Sequence, residues 1–349
     1  MPKILSPRRS AAARLALTLA VALLGGLSFH FAGLPAAWLS GAMVFVSAAT
    51  LAGAPTLMPE RLRDGLFFMI GLSMGAGVHP DVVERVGDWP VSMAMLLVVV
   101  VCVTLAGYAV LRHGAKWSRE TAFFGAVPGA LSYVIALATE RNADLPRIAS
   151  SQSLRLFVLI AVLPFAVVSS SEPGAGGAQT THVSALADFL IGLPLCLVAG
   201  WAAVRLRVPG GWLTGAFFAS AGLNASGLVT LVLPQFVLMT CFTMMGAHIG
   251  CRFASMTPRQ FVSVLGASMA AFGAAFVTSL LGAFIVAELV GIPFGQALLA
   301  YAPGGLEVMT LLAFMLDLDP AFVAAHQIVR FTGMVLLLPF VTGAVLGRR

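Results

Sequence analysis

Apolar stretches long enough to span a membrane follow one another along almost the whole chain. They lie at roughly 13–32, 36–53, 62–78, 90–111, 120–139 and 150–169, and again at 184–204, 210–229, 232–251, 261–287, 295–316 and 322–347. A helix needs about 20 apolar residues to cross the hydrocarbon core of a bilayer. Runs such as 92–110 are almost continuously apolar and lack the alternation of a barrel strand, so the pattern predicts helices. Between the two sets of six lies a polar, glycine-rich stretch without lysine or arginine, SSSEPGAGGAQTT at 169–181, which reads as a flexible linker.

The two sets repeat each other. Pro35, Trp38 and Gly41 recur 174 positions on as Pro209, Trp212 and Gly215. At a spacing of 175, Gly71/Gly75 recur as Gly246/Gly250, Pro128/Gly129/Leu131 as Pro303/Gly304/Leu306, Asp144 as Asp319, Gln152/Arg155 as Gln327/Arg330 and Pro164 as Pro339. So many matches in one order mark a tandem duplication, with repeat 1 over 1–169, a linker over 170–183 and repeat 2 over 184–349.

Charge then sets the expected topology. Twelve crossings would scatter arginines over both faces, against the positive-inside rule. If the fifth segment of each repeat is instead a re-entrant hairpin broken at its Pro-Gly, each repeat crosses five times and the second is inverted. With a cytoplasmic N-terminus, this places 17 of the 20 Lys and Arg residues inside, leaves Arg85 outside, and puts Arg155 and Arg330 within spans. The expected fold is an all-α polytopic membrane protein of two inverted repeats, each of five crossings plus one re-entrant broken helix. That makes about ten crossings in a bacterial inner (plasma) membrane, with both termini cytoplasmic. The N-terminal Lys3, Arg8 and Arg9 before an apolar run look like a secretory signal, but the Pro35/Trp38 motif follows directly, so the run reads as an uncleaved first span.

Composition agrees with a membrane protein: 59% of residues are hydrophobic and 10% charged. The basic balance does not point to nucleic acid, because the Lys and Arg residues flank spans and form no basic domain. Cys102, Cys196, Cys241 and Cys251 lie in or beside apolar segments without CxxC spacing, and the six histidines are scattered. No metal and no cofactor are expected. The partners expected are the bilayer and a small-molecule substrate, with self-association left open.

The residues that can carry chemistry cluster in the duplicated motifs. Pro128-Gly129 and Pro303-Gly304-Gly305 interrupt helices at membrane depth, where freed backbone groups must face protein or a watery cavity. Such ends bind ions and carboxylates in secondary transporters, although a packing kink is the alternative. Gln152 and Arg155, like Gln327 and Arg330, share a helix face just beyond, with His326 extending that face in repeat 2 only. An arginine at mid-helix depth costs at least about 2.5 kcal/mol and is kept there by a partner or a cavity. The structural alternatives to a substrate are snorkelling from the span ends, or pairing with Asp144, Asp319 or the broken-helix carbonyls. Glu307, whose counterpart is Ser132, is a candidate proton-coupling carboxylate or a structural hydrogen-bonding group. Gly71/Gly75 and Gly246/Gly250 read as small-residue packing faces.

The duplicated W-L-[ST]-G-A, G-x-x-x-G, P-G-[AG]-L and Q-x-x-R pattern, over almost the whole chain, resembles the bacterial AbrB-like membrane protein family with its membrane AbrB duplication. That family is distinct from the soluble DNA-binding regulator of similar name. The resemblance maps the motif positions onto Pro303, Gly304, Gly305, Glu307, Gln327 and Arg330, with Pro128, Gly129, Gln152 and Arg155 in the first copy. Members are often labelled ammonia monooxygenases and are linked to regulation of gene expression. The residues themselves favour a secondary transporter of a small, anionic, proton-coupled metabolite, with a membrane sensor as the alternative. An oxygenase would need copper or iron held by His and carboxylates, and the dispersed histidines do not supply that set.

Overall fold

A computed structural model describes residues 7–76, 78, 87, 89–129, 131–170, 186–229 and 231–346. Among them the regular structure is entirely helical, in fourteen α-helices. Repeat 1 supplies α1 (Pro7–Phe31), α2 (Ala37–Leu51), α3 (Glu60–Ala76), α4 (Trp89–Ala109), α5 (Arg119–Ala126), α6 (Leu131–Glu140) and α7 (Leu145–Ser170). Repeat 2 supplies α8 (Leu186–Arg205), α9 (Gly211–Ala225), α10 (Gln235–Gly250), α11 (Pro258–Val290), α12 (Phe294–Tyr301), α13 (Leu306–Met315) and α14 (Pro320–Leu346). Seven of these, α1, α4, α7, α8, α10, α11 and α14, are long and apolar enough to cross a membrane. The linker expected over 170–183 lies outside the described residues from 171 on, as does Arg85.

The duplication persists in the turns. Left-handed residues occur in matched pairs: Gly33 with Arg207, Ala36 with Gly210, Gly53 with Gly227, Lys116 with Gly291, and Asn142 with Asp317. Each repeat thus turns its chain at the same places whether or not a glycine is present to ease it. Two positions break the match: Gly211, whose counterpart Ala37 is not left-handed, and Gly129. Gly129 has φ +87°, and its counterpart Gly304 is not left-handed.

Packing cuts across the duplication. One compact unit joins Met1–Ala76 with Thr180–Gln260, and the other joins Gly77–Gln179 with Phe261–Arg349. Each unit therefore contains half of each repeat.

In the first unit, glycines let helices of different repeats touch backbone to backbone. Gly71 and Gly75 of α3 lie against Leu213 and Phe217 of α9, and Gly246 and Gly250 of α10 lie against Leu39 and Met43 of α2. Residue numbers rise together along both pairs, so α3 runs parallel to α9 and α2 parallel to α10. Ser220 Oγ and Asn224 Nδ2 extend the α3–α9 seam by donating to Leu72 O (2.7 Å) and Ala76 O (2.9 Å). Within each repeat, Gly41 abuts Gly25 of α1, and Gly215 abuts Ala199 and Gly200 of α8. Where apolar surroundings give no hydrophobic drive between helices, this close approach gains dispersion contacts that larger residues would prevent.

In the second unit, the fifth apolar segment of each repeat is split into two short helices. The residue before each proline, Val127 (ψ 122°) or Ala302 (ψ 138°), is extended. The proline ring excludes the helical region for its predecessor, and α5 and α12 stop there. Each pair then folds back on itself. After α6, Asp144 N donates to Thr121 Oγ1 in the first turn of α5 (3.0 Å). After α13, Leu318 packs on Gly295 in the first turn of α12, where a Cβ would stand 3.5 Å from Leu318 Cδ1. The next helix starts at an aspartate cap in both cases. Asp144 accepts from Arg147 N (3.1 Å), and Asp319 accepts from Ala321 N (2.8 Å) and Phe322 N (3.1 Å). Pro320 occupies the first helical position of α14, where its missing N–H costs nothing.

Candidate functional site

The extended Val127 and Ala302 turn their carbonyls out of the helical ladder, and the last carbonyls of α5 and α12 have no partner of their own. Donors come from the helix that follows each hairpin. On α7, Gln152 Nε2 donates to Phe124 O (3.2 Å), and both terminal nitrogens of Arg155 approach Val127 O (3.4 and 3.5 Å). On α14, Gln327 Nε2 donates to Leu299 O (3.0 Å) and Ala300 O (3.2 Å), while Arg330 donates to Ala302 O and Gly304 O. The three-residue spacing puts Gln and Arg on one helix face, so one residue serves the helix end and the other the break.

The two breaks meet. A Cβ added to Gly129 would lie 3.6 Å from Met334 Cε, 3.9 Å from Arg330 Nη2 and 4.0 Å from Gly304 O. Gly305 in turn faces Leu156 of α7, where an added Cβ would lie 3.8 Å from Leu156 Cδ2. Pro128, Gly129, Pro303, Gly304, Gly305 and the two Gln/Arg pairs thus belong to one region of the second unit. Met334 and Leu156 line it as well, apolar residues that nothing in the sequence marked.

Arg155 and Arg330 are 8% and 3% exposed. Arg63 pairs with Glu60 and Asp64, and Arg147 with Asp144, whereas among the described residues neither buried arginine has a carboxylate within bonding distance. Asp144 and Asp319 serve as helix caps. Carbonyls accept the guanidinium hydrogen bonds but carry no net charge, so two positive charges stand buried without counter-ions. Two atoms here are also buried without a hydrogen-bond partner, Arg155 Nε and Gln327 Oε1.

Glu307 lies in the first turn of α13, partly exposed, where the helix dipole favours a negative charge. Its Oε2 would be 3.6 Å from a Cβ on Gly305, which puts the carboxylate at the edge of the second break. The side chain of its counterpart Ser132 lies outside the described residues.

His326 faces elsewhere. It is fully buried, with Nε2 2.7 Å from Ser92 Oγ and Nδ1 2.8 Å from Phe322 O, so both nitrogens are occupied. Its ring packs on Phe322, with Trp89 and Tyr301 beside it, and the Tyr301 hydroxyl donates to Ser92 O. His326 therefore ties α14 to α4 and does not point at the breaks. Ser92 and Tyr301 escaped the sequence reading; the one available signal was mismatch, since Ala267 and Ala126 stand at the equivalent positions.

A cavity of about 360 Å³ opens in the first unit around Arg14 and the 50–56 turn. It is separate from this chemistry. Arg14 holds the turn there, with Nε and Nη2 donating to Pro55 O and Thr56 O. Among the described residues, no three His, Cys, Asp or Glu side chains converge on one point.

Comparison with known proteins places the chain by sequence. Residues 38–345 match the family described as "Transition state regulatory protein AbrB". The chain is 26% identical to "Uncharacterized protein YhjN" of Bacillus subtilis (strain 168), over 92% of this chain and 90% of that protein. It is 25% identical to "Putative regulator AbrB" of Escherichia coli (strain K12), over 91% and 92% respectively. No solved structure matches.

Proposed function

We propose that this chain, which belongs to the AbrB family, is a secondary transporter that carries a small organic anion across the bacterial inner membrane. The observation that carries this reading is the pair of buried guanidiniums, Arg155 and Arg330, standing without counter-ions where two helix breaks meet. Burying an ion costs several kcal/mol, and backbone carbonyls offset only part of that, so the site is built to be completed by a negative charge. Broken helices lining a cavity are how secondary transporters offer backbone groups to a ligand at membrane depth.

The topology that suits this role has ten crossings. The seven long helices are joined by the shorter α2, α3 and α9, while α5/α6 and α12/α13 are re-entrant. The parallel runs of α2 with α10 and of α3 with α9 support inversion, because uninverted repeats would set the second helix of one against the third of the other in opposite directions. Both termini are then cytoplasmic. Glu307, at the edge of the second break and with Ser132 as its non-acidic counterpart, is the proton-coupling carboxylate.

The test is uptake of a labelled metabolite panel into proteoliposomes, with and without a pH gradient. Accumulation of a carboxylate driven by the gradient is expected, and absence of flux across the panel removes the transport reading. The second reading is a membrane sensor that affects gene expression, favoured by the name of the Escherichia coli relative. It predicts binding of the same anions without flux. Product analysis with ammonia and oxygen checks the oxygenase label separately.

A further inference from the structure

The two breaks are related by duplication but differ in how far they are satisfied. At the second, Leu299, Ala300, Tyr301, Ala302 and Gly304 all have their carbonyls bonded, by Gln327, Ser279 and Arg330. At the first, the described hydrogen bonds stop at Phe124 and Val127, and the Arg155 contacts to Val127 are long. Arg155 Nε is left over, nine-tenths buried, and so is Gln327 Oε1 on the other repeat. Gly129 is left-handed and its counterpart Gly304 is not, so the backbone itself departs from symmetry at this point.

From these differences we infer that the paired residues have divided their labour diagonally. Arg155 and Gln327 contact the substrate, while Arg330 and Gln152 are positioning residues that hold the backbone of the breaks. The ligand this pair fits is a small carboxylate that also carries an O–H or N–H donor. Its anionic oxygen accepts from Arg155 Nε, and its donor serves Gln327 Oε1. A hydroxy or amino acid has both groups, and a plain fatty acid lacks the second. This rests on the anion reading above and deepens it.

The inference predicts opposite signatures for two arginines that look equivalent in sequence. Arg155→Gln removes a poorly satisfied buried charge, so the unliganded protein should melt at or above the wild-type temperature. Arg330→Gln leaves a break carbonyl without its donor and should melt lower; Arg330→Lys, which keeps a charge and donors, should recover part of that loss. The experiment measures melting of the full chain in detergent, alone and with sodium lactate, sodium propionate or alanine. Wild type should be stabilised more by lactate or alanine than by propionate. Arg155→Gln should lose the ligand-induced shift, Gln327→Leu should lose only the preference for the donor-bearing acids, and Arg330→Lys should reduce the shift by less than Arg155→Gln does. Equal loss of the shift in the Arg155 and Arg330 variants, or a shift that survives Arg155→Gln, overturns the division of labour. A wild type insensitive to every carboxylate removes the anion reading beneath it, a result distinct from either.

Discussion

Gly129 of the first repeat and Arg330 of the second lie side by side: a Cβ on the glycine would stand 3.9 Å from Nη2 of the arginine. At φ +87° a side chain at position 129 is strained in addition to entering that contact, a cost of about 1–2 kcal/mol for an L residue. Gly129→Ala should therefore lower the melting temperature and reduce flux. Gly304→Ala has no positive φ to contend with and meets chiefly the flexible Met309 side chain, so its loss should be smaller. Side-by-side melting curves check the order.

The glycine seams of the first unit predict a matched pair. A Cβ at Gly71 or Gly246 would press into the carbonyl oxygen of Leu213 or Leu39, and backbone cannot move aside as a side chain can. Gly71→Ala and Gly246→Ala should each destabilise by about 1–3 kcal/mol, alike because the seams are duplicates. Gly65, on the same helix as Gly71 but with nothing within 4 Å of an added Cβ, is the control. Its change to Ala should be neutral, or stabilising by up to about 1 kcal/mol through helix propensity.

Topology is checked by cysteine accessibility. Tags at Ser170 and Gln179 should label from the periplasmic side, and tags beside Lys116 and Arg207 only from the cytoplasm. Labelling of the linker and of Lys116 from the same face would reject the inverted arrangement.

Glu307→Gln mimics the protonated carboxylate and should abolish accumulation driven by a pH gradient while leaving exchange between the two sides intact, because exchange needs no net proton movement. Net uptake and counterflow measured in the same proteoliposomes separate the two. Accumulation unchanged by the substitution would return Glu307 to a structural role at the start of α13.

How much of this was visible in the sequence depended on range along the chain. Prolines act on their immediate neighbours, so the breaks at Pro128 and Pro303 could be read directly. The glycine faces at 71/75 and 246/250 were legible as faces but not as partners, since nothing local says that α3 meets α9 and α2 meets α10. The same limit applied to the site. Spacing put Gln and Arg on one face, and it also put His326 there. Only the fold reveals that the histidine turns to Ser92 while the arginines turn to the breaks. The unequal satisfaction of the two arginines was hidden because their sequence surroundings are nearly alike.

The mixing of repeats within each compact unit has a consequence for biosynthesis. When the ribosome has completed the first 169 residues, α3 presents its Gly71/Gly75 face and α2 its Leu39/Met43 face, and their partners, α9 and α10, have not yet been translated. The first repeat must therefore wait in the membrane with its seams open until the second is inserted, and the contacts that close them join residues about 140 to 210 positions apart. A stall or truncation in the second half should thus release a first half recognised as unfinished and cleared, so the two copies of an ancient duplication live or die as one molecule.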